Sequence, residues 1–272
     1  MSGTDHPTLA FIGCGRITRA LVRGLVAAGH TAHAMRGVSR SGAGALALSR
    51  EFSLTAADGN AAAVRGADIV VLAVHPHETR EALAALSGLL GSEQTLLSLV
   101  ASWRTEAVAA ALPGVPVVRA VPNVGVAVGA GATVLSAGPH ADAPRLAAVE
   151  RLFAPLGETF VVGEDLLEAV SAVSGAGPAL VAHFARSLAE AGRSRGLDAR
   201  TAAVLAAHAV RGTGALLAQE GVTVEAVMDS VASPGGMTEA ALRVLDEDEV
   251  SAAVRRAVDA AVQLSMGRLA RA

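Results

Sequence analysis

Apolar positions in the first half of the chain follow two alternating patterns. Residues 9–12 form a short apolar run that ends at Gly13, and residues 68–74, 96–100 and 115–121 repeat that pattern. Short runs without a polar face read as strands buried on both sides. Between them, residues 16–28, 78–90 and 105–112 carry apolar side chains at helical spacing. Strand and helix alternating through short links predict a parallel sheet covered on both faces. Residues 132–136 and 159–162 extend or edge that sheet.

The pattern changes after Gly163. Strand-like runs stop and alanine-rich helical segments begin, at residues 178–195, 199–219, 224–231, 238–246 and 250–269. The second of these carries only Arg200 and Arg211 as charges. A helix apolar nearly all round is expected to be buried. The predicted fold class is α/β: a Rossmann-type dinucleotide-binding domain over residues 1–163, then an all-helical dimerisation and substrate-binding domain over 164–272. Bundles this apolar commonly pair with another copy, so a homodimer or higher homo-oligomer is expected.

Composition narrows the chemistry. The chain has 272 residues, 22 basic and 25 acidic, for a net charge of −3, and 17% of its residues are charged. Its mean hydropathy is +0.47. No basic excess argues for a nucleic-acid partner. All the basic residues are arginine, tyrosine is absent, and the one cysteine is Cys14. Lysine Schiff bases, Tyr-Lys hydride-transfer dyads, intrachain disulfides and cysteine-based zinc clusters are thereby excluded. A reducing cytoplasm is the expected compartment. The start of the chain, residues 1–8, is polar, and no secretory signal is read there. The longest uncharged run, residues 120–141, holds prolines, Asn123 and four glycines, and reads as strand and loop, not as a membrane span.

Six motifs can carry chemistry. Gly13-Cys14-Gly15-Arg16-Ile17-Thr18 joins the first strand to the first helix. Gly13 suits a tight turn, and Gly15 lets backbone amides approach a pyrophosphate at the helix N-terminus. Thr18 stands where a smaller residue is usual. Residues 30–50 lack the acid that holds the ribose of NAD. They offer Arg36, Ser39, Arg40 and Ser41 instead, a set suited to a 2′-phosphate, so NADPH is favoured and NADH remains possible. The alternative is a solvated basic turn. Val74-His75-Pro76-His77 follows a strand, where His75 either faces the nicotinamide or caps the strand end; no third metal ligand accompanies it, and no metal is expected. Arg119-Ala-Val-Pro122-Asn123 also closes a strand, as a ligand turn or a simple Asn turn. Ser174-Gly-Ala-Gly-Pro178 opens a helix, for helix packing or for a ligand. Ser233-Pro-Gly235-Gly236-Met237-Thr238 opens another, where free amides suit a carboxylate. There Ser233 or Thr238 can alternatively be a plain helix cap.

In this order and spacing the motifs resemble pyrroline-5-carboxylate reductases. Residues 172–179 are similar to the family's A-L-S-G-S-G-P-A, and residues 233–238 to S-P-G-G-T-T. The resemblance implies reduction of the C=N bond of 1-pyrroline-5-carboxylate to L-proline by NADPH or NADH. It implies that Gly13 and Gly15 hold the pyrophosphate, with Arg16 and Ile17 beside them. It puts Ser39, Arg40, Ser41 and Asn60 at the adenosine end, and Ala73, Val74, His75, Pro122 and Asn123 near the nicotinamide. Ser174 and the loop Ser233 to Thr238 would bind the substrate, its carboxylate on Gly235 and Gly236, its ring nitrogen on Thr238. Thr238 and His75 are the implied catalytic pair. The sequence departs from the family at His75 (lysine), Ala176 (serine), Val124 and Gly125 (threonine and proline) and Met237 (threonine). These changes remove polar groups and motivate one alternative, reduction of a related cyclic imine in specialised metabolism. A second alternative is a silent NADP-binding regulatory module, against which the retained Thr238 and glycine loop argue. A β-hydroxyacid dehydrogenase would need the lysine this chain lacks.

Overall fold

The computed structural model describes residues 6–101 and 103–269. Most of the polar start of the chain, residues 1–5, lies outside them, as do the last three positions. The described chain divides into two compact units. One runs up to Gly175 and takes the chain back from Ala261; the other is Ala176–Ala260.

The first unit is built on one eight-stranded sheet. Its strands are β1 (Leu9–Ile12), β2 (Met35–Val38), β3 (Thr55–Ala56), β4 (Ile69–Leu72), β5 (Thr95–Ser98), β6 (Val117–Pro122), β7 (Gly131–Ala137) and β8 (Gly157–Val161). Its helices are α1 (Arg16–Ala27), α2 (Ala43–Phe52), α3 (Asn60–Val64), α4 (Thr79–Leu86), α5 (Thr105–Ala111), α6 (Ala143–Phe153) and α7 (Leu167–Val170). The spatial order is β3-β2-β1-β4-β5-β6-β7-β8. β1 pairs in parallel with both β2 and β4, so the order of strands reverses there. The expectation of an all-parallel sheet needs one correction: β7 runs antiparallel to β6, and β8 then returns parallel to β7. A short turn, not a crossover helix, joins β6 to β7, which permits only antiparallel pairing.

Alternation along each strand builds the core. Leu9 and Phe11 of β1 pack with Leu21, Leu25 and Phe153, while Ala10 and Ile12 pack with Leu83, Leu86 and Val108. Ile69 and Val71 of β4 join the first cluster, and Val70 and Leu72 the second. Successive side chains face opposite sides of a strand, which is why the central strands are apolar throughout.

Two features pin the edge of the sheet beyond β5. Arg119 of β6 is 2% exposed and lies 2.7 Å from Glu168 of α7 and 3.4 Å from Glu164. Thr105 gives Glu164 a backbone and a hydroxyl hydrogen bond at 2.8 and 2.9 Å. Ser265 donates to the second oxygen of Glu168. Arg119, part of a motif that reads as a ligand turn or a simple Asn turn, is thus a structural cation held between the buried Glu168 and the part-buried Glu164. The turn after β6 packs on α1 at Gly24, where a Cβ would stand 2.1 Å from the Val126 carbonyl oxygen.

The second unit is helical: α8 (Gly177–Ser194), α9 (Ala199–Leu217), α10 (Val224–Val231), α11 (Met237–Glu247) and the start of α12 (Val250–Leu269). α8 and α9 form a hairpin, and α10 lies against α9. The expectation that α9 is buried is not met within one chain. Only Ala202 and Ala206 of α9 are buried, while Val204, Leu205 and Leu216 are exposed, as are Val181, Phe184 and Leu188 of α8. Among the described residues, one stretch, Glu164–Ser194, is by length and composition apolar enough to cross a membrane. It is interrupted by a π-helical turn at Ser171–Gly175, and Pro178 starts α8 afresh.

The Gly24 contact sets two effects against each other. Gly24→Ala gains ~1 kcal/mol of helix propensity. The new methyl must push the Val126 carbonyl away, and overpacking of a fitted contact costs ~1–3 kcal/mol. We expect a net loss near ~1 kcal/mol and a thermal midpoint lowered by ~2–4 °C. A raised midpoint would show that the turn leaves α1 freely.

Candidate active site

The carboxyl ends of β1, β2 and β4 enclose a cavity of about 640 Å³. It lies where the strand order reverses, the place at which open α/β sheets bind ligands. Gly13, Gly15, Ser39, Arg40, Ser41, Asn60, Ala73, Val74 and His75 all line it. Arg16 and Ile17 sit in the first turn of α1, outside that lining.

The turn after β1 requires glycine at its first position. Gly13 has φ +99°, and a Cβ there would stand 2.5 Å from the Ala73 carbonyl oxygen. Its amide is held by the Val38 carbonyl at 2.9 Å, so the turn is tied to the end of β2. At Gly15 nothing lies within 4 Å of the place a Cβ would take, which leaves the N-terminus of α1 open. Thr18 replaces the usual small residue without cost: it is fully buried and its hydroxyl donates to the Gly13 carbonyl at 2.8 Å. Cys14 donates its thiol to the Val38 carbonyl, and burial pushes its pKa up to about 11. It is a packed thiol, not a nucleophile.

The residues after β2 divide. The Ser39 hydroxyl accepts the Ala45 amide at 3.2 Å and keeps its own proton free to donate. The Arg40 side chain is 74% exposed and pairs with Glu78 at 2.7 Å. Arg36 does not join them: its guanidinium donates to the carbonyls of Ala63 and Arg65. Those carbonyls lie at the end of α3, so the side chain is spent there. Glu78 itself escaped the sequence reading. The spacing from the glycines points to the stretch after the second strand, and this acid comes from the turn after β4.

His75 is exposed and stacks on His77, ring centroids 5.7 Å apart. Its carbonyl accepts from the Thr79 hydroxyl at 3.2 Å, and its amide donates to Glu78 at 3.3 Å. Among the described residues, no group of three or more His, Cys, Asp or Glu side chains is placed to hold a metal.

Pro122, Asn123 and Ser174 form a second cluster in the same unit. The Asn123 amide nitrogen donates to the Ser174 hydroxyl at 3.1 Å, while its oxygen accepts the amides of Gly125 and Ala132. Asn123 therefore shapes the turn and links it to the π-helical segment. Position 125, a proline in the family pattern, is a glycine for a local reason: a Cβ would stand 2.4 Å from the Ala130 carbonyl oxygen.

Ser233, Gly235, Gly236, Met237 and Thr238 lie in the second unit, at the start of α11. Two expected donors are already engaged. The Gly235 amide donates to Glu239 at 2.6 Å, and the Gly236 amide to the Ser233 carbonyl at 2.9 Å. The amides without an intrahelical acceptor are those of the first turn, beginning at Met237. Gly236 is the N-cap residue and no side chain caps this helix, so neither Ser233 nor Thr238 serves as its cap.

Known proteins share this arrangement. A family model described as pyrroline-5-carboxylate reductase dimerisation matches residues 164–267. One described as NADP oxidoreductase, coenzyme F420-dependent, matches residues 8–102. The chain is 33% identical to a pyrroline-5-carboxylate reductase of Corynebacterium melassecola, over 95% of this chain and 97% of that one. It is 34% identical to one of Mycobacterium tuberculosis, over 96% and 95%. A solved pyrroline-5-carboxylate reductase from Coxiella burnetii superposes with a TM-score of 0.87 at 29% identity, covering 97% of this chain and 99% of that one. The likeness runs through both units, from the strands and glycine turn around the cavity to the helices that carry the Ser233 to Thr238 loop, and the chain belongs to the pyrroline-5-carboxylate reductase family.

Proposed function

We propose that the protein reduces the C=N bond of 1-pyrroline-5-carboxylate to give L-proline, using NADPH and accepting NADH. The observation that carries this reading is the pairing of two features on one chain. A glycine-turn cavity lies at the strand reversal, and an uncapped helix start bears Thr238. Full-length relatives with that activity in their names support it, and the NADP oxidoreductase match over the first unit supports the cofactor.

The residues present fit a dinucleotide. The open N-terminus of α1 suits its pyrophosphate. Ser39, Arg40 and Ser41 suit a 2′-phosphate, and Asn60 lines the same cavity. When bound, the cofactor supplies a hydride. The chain's own residues bind, orient and shield. Ala73, Val74 and His75 close the end of the cavity at β4. In the second unit, the first amides of α11 hold the substrate carboxylate, and the Thr238 hydroxyl supports the ring nitrogen. A protonated imine accepts hydride readily, so a strong general acid is not needed, in keeping with a site without lysine or tyrosine. His75 then plays a minor part. Cys14, a part-buried free thiol, suits a reducing cytoplasm.

The dimerisation match implies self-association. We place it on the apolar faces of α8 and α9, whose exposed Val181, Phe184, Leu188, Val204 and Leu205 are too many for a solvated surface.

The reading is checked by following NADPH oxidation with 1-pyrroline-5-carboxylate and, separately, with its six-membered homologue. We expect the five-membered ring to give the higher kcat/KM. The opposite order would make the protein a reductase of another cyclic imine, and no turnover with either would leave a silent binding module.

Thr238→Ala should lower kcat by ~5- to 150-fold, the loss of ~1–3 kcal/mol at the transition state. Because Thr238 caps nothing, stability should stay within ~0.5 kcal/mol. Normal kcat with a lowered midpoint would remove the residue from the chemistry.

Sedimentation at micromolar concentration should show a dimer or larger species. A stable monomer would refute the association we place on α8 and α9.

A further inference from the structure

A dinucleotide site of this fold separates its two cofactors at the end of the second strand. An acid there holds the ribose hydroxyls of NADH, and an arginine accepts the 2′-phosphate of NADPH. The loop after β2 supplies no acid, only Ser39, Arg40 and Ser41. The structure brings one from another strand. Glu78, in the turn after β4, places Oε1 2.7 Å from Nη1 of Arg40. Its second oxygen accepts the His75 amide at 3.3 Å. Both residues line the same cavity. They are unequally anchored: the Glu78 side chain is 19% exposed and fastened to its own turn, while that of Arg40 is 74% exposed.

Resting on the reading of this cavity as the NADPH site, we propose that Glu78 sets the cofactor preference of the enzyme. Its carboxylate holds the guanidinium that a 2′-phosphate would need. A phosphate monoester carries between one and two negative charges at neutral pH. On arrival it must draw Arg40 away from Glu78, and the two anions are then left on the same side of the cavity. Asp58 and Glu81, also in the lining, add charge of the same sign. NADH brings no 2′-phosphate. Arg40 can stay on Glu78, and the carboxylate still has lone pairs for a ribose hydroxyl, the part an acid on the second strand plays elsewhere. Arg40 and the serines therefore favour NADPH less than they would alone.

A plain turn cap would use only the bond to His75. Glu78→Gln separates the two roles, since the amide oxygen can still accept from His75 while the charge is gone. The probes are 2′,5′-ADP and 5′-AMP, titrated calorimetrically into the full-length protein at low ionic strength. We expect the substitution to tighten 2′,5′-ADP by ~3- to 10-fold, the scale of one part-exposed charge at a few ångströms. Binding of 5′-AMP should change less than 2-fold, and raised salt should shrink the difference. Glu78→Ala, which also loses the turn cap, should keep the selective gain even with a lower midpoint. Equal changes for both probes, or weaker binding of 2′,5′-ADP, would overturn the proposal and leave Glu78 as a cap or as the group that positions Arg40. If the unaltered protein binds neither probe, the dinucleotide reading of the cavity fails, and this inference with it.

Discussion

The buried guanidinium of Arg119 is the constraint on which the architecture turns. An arginine at 2% exposure must be neutralised where it stands. Both carboxylates that do so, Glu164 and Glu168, come from the segment that follows the last strand. Four residues further along the same strand end, Asn123 takes hold of Ser174 in that segment. β6 therefore fastens the chain twice just before it leaves for the helical unit. A buried ion pair adds little net stability over an apolar contact, but breaking it by removing one partner costs ~3–5 kcal/mol. The arrangement is one that specifies a path more than it strengthens a core.

That path decides where chemistry can be placed. The cavity is built from three strand ends whose turns are tied to one another by backbone bonds, Gly13 to Val38 and Ala73 to Ile12. No long loop is asked to find its own position. Thr238 depends on a different device, the uncapped start of α11, where unsatisfied amides and one hydroxyl are presented together. The departures from the family pattern fall into line with this economy. Gly125 is demanded by a close backbone approach, and Met237 has its side chain 90% exposed at a helix start whose amides do not depend on it. His75 contributes backbone bonds to the turn that carries Glu78.

Much of this was legible in the sequence, for identifiable reasons. Strands buried on both faces announce themselves as unbroken apolar runs, and β1 and β4 are of that kind. Glycine and proline punctuation placed the turns. Three things were not legible. Whether β7 runs with or against β6 depends on the length of the link between them, not on the apolar pattern of either strand. The apolar sequence of α9 calls for a cover, but not which of its side chains the chain itself leaves bare. The contact between Arg40 and Glu78 joins residues 38 positions apart, which spacing from the glycines does not indicate. Arg36 and Arg119 show the converse. Both sit in promising motifs, and both are consumed by neighbours that only the folded chain supplies.

Ser265 adds a last consequence. It lies on α12, after the helical unit has been completed, and it bonds Glu168, the partner of Arg119. The chain leaves the first unit at Gly175 and comes back to it at Ala261. In topological terms the helical unit is an insertion, held at both ends, and not a tail appended to a finished domain. A nucleotide-binding fragment ending at the change of pattern near Gly163 would lack Glu164, Glu168 and Ser265 together, and would keep a guanidinium in its interior with no counter-charge.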